Sequence, residues 1–391
     1  MDVNRILRAC LIGEGEPISD PLLRDVPDAE FRRLPRAATF HRIAPAVYLG
    51  LRASIAVPRD VLDSLHTAYL ASLQHHLLCW QGLEELSDAF DRAGIEYVVL
   101  KGAALAETVY SRPDLRPYGD VDVLVRPRDF GDALELLERD GAVRFEANWE
   151  LMRHQMRGEV NLLTPRGVTV DLHWSLLHDT AERAAFPRID DGFVDRACRQ
   201  EIAGRKLVVP DPTDHLLYLC LHACLEGCYR LSWLQDIRLA ATRLPVDWDV
   251  LRARARATDA ELAVAVVFDR VNRCFGTAFP ACGRAARPGA SWRVSVRALD
   301  GVRPPWRWAG GPLSGRIVVA STRATSAASA AALVRATARN VGVVLTDPGH
   351  PWRQRRASAP RKAAPAEILL PAGGAGAREA FLVEVARTEH T

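Results

Sequence analysis

The spacing of apolar residues changes twice along the chain, and the changes divide it. From the N-terminus to about residue 93 apolar positions recur every three or four residues, which predicts helices. The clearest run is Arg59 to Ala93, with Val61, Leu65, Ala68, Leu73, Leu77, Trp80, Leu83 and Leu86 among the positions of its stripe. Gly94 follows as the glycine that ends such helices. At Ile95 the pattern shifts to short β-favouring runs. Tyr97 to Leu100 predicts a buried strand ending in a Lys101-Gly102 turn, and Asp120 to Val125 predicts a second strand. Between them lie a short helix, Ala103 to Tyr110, and a proline-punctuated loop, Arg112 to Gly119. A helix from Pro127 to Asp140 precedes strands at Val143 to Glu146, Glu159 to Leu163 and Val168 to Trp174. From Pro212 to about Phe279 helical spacing returns, in Asp214 to Cys228, Leu231 to Thr242 and Ala260 to Phe275.

These shifts predict an α+β fold: a small mixed-sheet core at residues 93–178, with a helical region at 1–92 and a helical domain at 179–300. Residues 301–391 are rich in alanine, arginine and proline and read as a partly disordered tail. Within it the Trp352–Lys362 basic patch reads as a solubilising segment before a nucleic-acid contact.

Composition changes the picture little. The 391 residues are 48% hydrophobic and 25% charged with a net charge of +3, which lacks the strong basic excess of a dedicated nucleic-acid binder. No apolar run reaches the roughly 18 residues that a spanning helix needs, and the first residues lack a signal-peptide core, so a cytoplasmic protein with no membrane partner is expected. Eight cysteines then read as reduced thiols. Cys220, Cys224 and Cys228 read as small apolar residues on a buried helix face, because three ligands on consecutive turns close poorly around zinc.

The chemistry concentrates in the predicted sheet. Asp120 and Asp122 are two apart on a strand, so both carboxylates leave the same face while Val121, Val123 and Val125 enter a core. Aspartate is a poor strand former, and like charges on one face repel unless a cation lies between them. Asp171, on the face opposite Val168 and Val170, is the best third carboxylate. A solvated acidic face is the alternative reading of the same spacing. Lys101, at a strand end, and Arg116, just before the aspartates, are candidates to meet phosphates; His173 and His222 are either acceptor-site or core residues.

Val98-Val99-Leu100-Lys101-Gly102-Ala103-Ala104-Leu105, the loop Arg116-Pro117-Tyr118-Gly119 and the strand Asp120-Val121-Asp122-Val123-Leu124-Val125 together resemble an uncharacterised bacterial nucleotidyltransferase family of the polymerase-β-type superfamily. Asp171-Leu172-His173-Trp174 is similar to its third-carboxylate strand, and His41-Arg42-Ile43-Ala44-Pro45, His215 to His222 and Leu234 to Ile237 also fit; the likeness covers roughly residues 30–280. The resemblance implies that Asp120, Asp122 and Asp171 are catalytic and hold magnesium, with two ions expected, against a nucleoside triphosphate. It implies that Gly102 lets backbone approach the phosphates, beside Lys101 and Arg116 as nucleotide-binding residues. Two features depart from the superfamily's wider pattern: Ala103 stands where serine or glycine is usual, and seventeen residues separate Gly102 from Asp120. The expected activity is transfer of a nucleoside monophosphate, from ATP in the first instance, to an unidentified small molecule, peptide, protein or RNA. The rival readings are a catalytically silent nucleotide-binding regulatory or scaffold module and a helical interaction protein whose D-x-D is coincidental.

Overall fold

The structure is a computed structural model that describes residues 2–146, 148–279, 289–302, 313–346 and 375–390. Among these, five strands form one mixed sheet in the order β1 (Tyr97–Val99), β2 (Val121–Val125), β5 (Thr169–His173), β4 (Glu159–Leu163), β3 (Val143–Arg144). Only β2 and β5 run parallel; the other neighbours are antiparallel. The expected α+β arrangement, a mixed sheet flanked by helices, is the one observed.

Strand alternation sorts the side chains. Val121, Val123, Val125, Val160, Leu162, Val170 and Leu172 all join one apolar core on one face of the sheet. Val98, Leu100 and Leu124 belong to a second core, shared with the N-terminal helices and the helices beyond residue 212. The sheet is thus covered on both sides, and its central polar face meets helices. The long helix Arg59–Ala93 ends on Gly94 in the left-handed conformation, φ 70°, as its sequence predicts.

Several elements lie outside the sequence-based expectations. A short helix, Trp149–Gln155, sits between β3 and β4, and a hairpin, β6 (Cys198–Ile202) and β7 (Arg205–Val209), turns on Ala203 and Gly204, both at positive φ. Of the expected tail, residues 375–387 form a helix that buries Phe381 fully, with ring centroids 5.7 Å from Trp149 and 6.3 Å from Phe130. The Trp352–Lys362 patch lies outside the described residues. Cys220 and Cys224 are buried on the helix Pro212–Leu225, while Cys228 falls beyond its end. Among the described residues no helix is long and apolar enough to cross a membrane.

Candidate active site

The parallel pairing of β2 and β5 creates the site. Its register sets Asp122 directly beside Asp171, so two carboxylates from different strands share one face. On β5's other side, Asn161 stands opposite Asp171 and Glu159 opposite His173, extending a polar row across three strands. Asn161 Nδ2 donates to Asp171 Oδ1 at 2.6 Å. His173 lies between Asp122 Oδ1, 3.4 Å from Nε2, and Glu159 Oε2, 3.2 Å from Nδ1; His178 Nδ1 reaches the other Glu159 oxygen at 3.4 Å.

This row floors a cleft of about 410 Å³, within the range of small-molecule sites. Its opposite wall comes from the helices Pro212–Leu225 and Leu231–Arg243 and the turn joining them, including Tyr218, His222, Tyr229 and Trp233. All six sequence-predicted site residues line this cleft.

Their individual settings differ from expectation in three respects. First, Lys101 points its Nζ at Asp122 Oδ1, 2.9 Å away, and is already paired. Second, Arg116 is buried and forms a two-pronged ion pair with Asp236, at 2.9 and 2.8 Å, while its third nitrogen donates to the Gly102 carbonyl at 3.1 Å. Tyr110 donates to the same Asp236 at 2.5 Å. A fork so engaged braces the Gly102 turn against the helix Leu231–Arg243. Third, a histidine joins two of the three expected aspartates in the tightest potential ligand group. Ligand atoms of Asp122, Asp171 and His173 all lie within 4.8 Å of one another, whereas Asp120 lines the cleft just before β2 begins. His173 enters because it is two residues beyond Asp171 on the same strand face.

Gly102 has φ 63° and ψ −121°, and a Cβ there would stand 3.0 Å from the Asp120 carbonyl oxygen. Only glycine fits that turn comfortably.

The electrostatics follow from crowding. Burial pushes the Asp171 carboxyl up to about 7, reinforced by the charges of Asp122 and Asp120. The Asp122 charge, then burial, raises Asp120. Burial opposes ionisation of Asp122, yet Lys101 and His173 beside it hold its carboxyl well below the usual range. Asp122 Oδ2 is nevertheless buried without a hydrogen-bond partner. A buried, ionised oxygen left unsatisfied beside two further carboxylates is suited to a hard divalent cation, which prefers oxygen ligands. The residues present therefore fit such an ion, with Asp122, Asp171 and His173 as the tight group and Asp120 at its edge.

Sequence reasoning did not identify Glu159 and Asn161 as part of the site, although the polar–apolar alternation of Glu159-Val160-Asn161-Leu162 mirrors that of β5. Arg230, Tyr229 and Trp233 were also missed, and no local signal marks them; Arg42 stood in the His41–Pro45 stretch of the resemblance but was given no role.

A mixed sheet carrying paired aspartates at the floor of a helix-walled cleft is the architecture of a nucleotidyl-transfer enzyme. A family described as uncharacterised nucleotidyltransferase matches residues 27–276, and the chain belongs to that family. No functionally curated protein matches it. Among solved structures, the antibiotic-resistance factor ANT(2'')-Ia is 16% identical, over 48% of this chain and 93% of its own, with a TM-score of 0.33. An antigenic nucleotidyltransferase-like protein from Paracoccidioides brasiliensis is 19% identical, over 40% of this chain and 72% of its own, with a TM-score of 0.27.

Proposed function

We propose that the protein transfers a nucleoside monophosphate from a nucleoside triphosphate, with ATP as the first donor to test, to an acceptor hydroxyl or phosphate. The acceptor oxygen bonds to the α-phosphorus, the bond to the bridging oxygen breaks, and pyrophosphate leaves. The observation that carries this reading is the Asp122–Asp171 register with its unsatisfied Asp122 Oδ2 at the floor of the cleft.

Asp120, Asp122 and Asp171, with His173, are the residues we assign to hold magnesium, in the two-ion form expected from the sequence. Bound magnesium supplies charge neutralisation on the triphosphate. Asp171 completes the ion site and helps activate the acceptor hydroxyl, as metal ligand or as general base. Asn161 and Glu159 are positioning residues, fixing Asp171 and His173 through single hydrogen-bonding contacts. Gly102 keeps side-chain atoms out of the turn beside Asp120, and Arg116 and Lys101 act on the nucleotide through Gly102 and Asp122. Free cysteines are consistent with a reducing, cytoplasmic setting.

The test is pyrophosphate release with magnesium and each of the four nucleoside triphosphates over an acceptor panel, for the natural protein and Asp122→Asn. Release that needs both magnesium and Asp122 supports the reading. Magnesium-dependent nucleotide binding with no release on any acceptor, unchanged by Asp122→Asn, replaces it with the silent nucleotide-binding module.

A further inference from the structure

The nucleotide proposed above brings a triphosphate tail with several negative charges, and the cleft's cations are not equally free to meet it. Lys101 and Arg116 each hold a carboxylate. Arg42 and Arg230 line the same cleft, and among the described residues neither has a carboxylate within ion-pair distance. Arg230's Nε donates to the Tyr229 hydroxyl at 3.2 Å, and its guanidinium lies 5.3 Å from the Trp233 ring centroid. Burial and the neighbouring Arg230 charge make the Arg42 cation less stable than usual, and the Asp120 charge opposes them. Two neighbouring guanidiniums with no carboxylate at ion-pair distance among the described residues form a site that an anion would relieve.

The site is built from segments far apart in sequence. His41 is fully buried, and its Nδ1 accepts from the Leu231 amide at 3.3 Å while its carbonyl accepts from the Ser232 amide at 3.3 Å. This staple fixes Arg42 and Arg230, the residues next to it on either chain segment. Arg42 itself adopts φ 54°, a turn that sends the chain into the helix Ala44–Leu51. Ser232 Oγ, buried and without a hydrogen-bond partner, lines the cleft beside Arg230.

We propose that Arg42 and Arg230 form the jaw that grips the β- and γ-phosphates of the donor and then the pyrophosphate product, with His41 as the positioning residue. The assignment rests on the nucleotidyl-transfer reading.

Calorimetric titration of the full chain with ATP, inorganic pyrophosphate and AMP, each with magnesium, tests it. Arg42→Ala and Arg230→Ala are each expected to weaken ATP and pyrophosphate by at least about tenfold, with AMP within about twofold, since lost charge-assisted bonds carry that scale. Arg→Lys at each position should restore part of the loss, and Arg52→Ala, on an exposed site outside the cleft, should change nothing. Unchanged melting temperatures confirm that the variants are folded. Pyrophosphate binding unaltered in the double Arg→Ala variant, or AMP weakened in step with ATP, overturns the jaw. If that happens while Asp122-dependent pyrophosphate release persists, the enzymatic reading stands alone. Arginine-dependent pyrophosphate binding without any magnesium-dependent turnover leaves the jaw standing and removes the enzymatic reading. Failure of the natural protein to bind ATP or pyrophosphate removes both.

Discussion

Arg116 provides the sharpest division between two accounts of this site. As a phosphate-binding residue it would contribute to nucleotide affinity and little to stability. The structure instead buries it, side chain 8% exposed, against an Asp236 side chain that is 3% exposed. Asp236→Ala leaves that guanidinium without its counter-ion and also strips the Tyr110 hydroxyl of its acceptor. Removing one partner of a buried ion pair costs about 3–5 kcal/mol, because the remaining charge stays desolvated. Arg116→Ala should lose a comparable amount, since it strips the buried Asp236 of its counter-ion and removes one of the two N–H donors to the Gly102 carbonyl. Replacing both, as Arg116→Met with Asp236→Leu, should recover most of the stability, as apolar substitutes for buried pairs do. Yet the double variant should remain impaired in pyrophosphate release, because the Gly102 turn has lost its brace. Urea denaturation with a shared m-value measures all four proteins. A loss below about 1 kcal/mol for either single variant, in the range of exposed pairs, would refute the bracing argument.

The remaining predictions address other parts of the site and fold. Asp122→Asn should abolish the extra thermal stabilisation that magnesium adds to ATP, read by differential scanning fluorimetry; retention of the full shift contradicts ion binding at this carboxylate. In metal-free protein Asp171 has a folded pKa of about 7 against an ordinary 3.8, so the folded state binds more protons between those values and stability falls as pH rises through that window. Asp171→Asn should flatten that slope in urea titrations at successive pH values; an unaltered slope rejects the burial argument. Gly102→Ala forces a Cβ into a positive-φ turn 3.0 Å from the Asp120 carbonyl oxygen, at a cost of about 1–3 kcal/mol, and should depress turnover further by shifting Asp120. Phe381→Ala should lose about 3–5 kcal/mol, because its fully buried ring joins Phe130 and Trp149; a near-neutral result by the same denaturation would show the C-terminal helix to be dispensable.

Much of the fold was legible because its determinants are local. The periods of 2 and 3.6 located β2, β4, β5 and the long helix, and Gly94 marked that helix's end. The hairpin β6–β7 and the helix Trp149–Gln155 escaped because such short segments carry little periodic signal. Side-chain alternation alone placed Asp122 and Asp171 on faces opposite their valines, and it would have admitted His173 and the β4 pair Glu159 and Asn161 had the same counting been extended. The sequence by itself therefore determined which residues project from each strand. Only the tertiary structure decided that β2 and β5 pair in parallel with Asp122 beside Asp171, because strand register depends on long-range packing rather than on neighbours in the chain. The same holds for Arg116 with Asp236, separated by 120 residues, and for Arg42 with Arg230: charges carry no local mark of their partners, and burial alone selects which ones must pair.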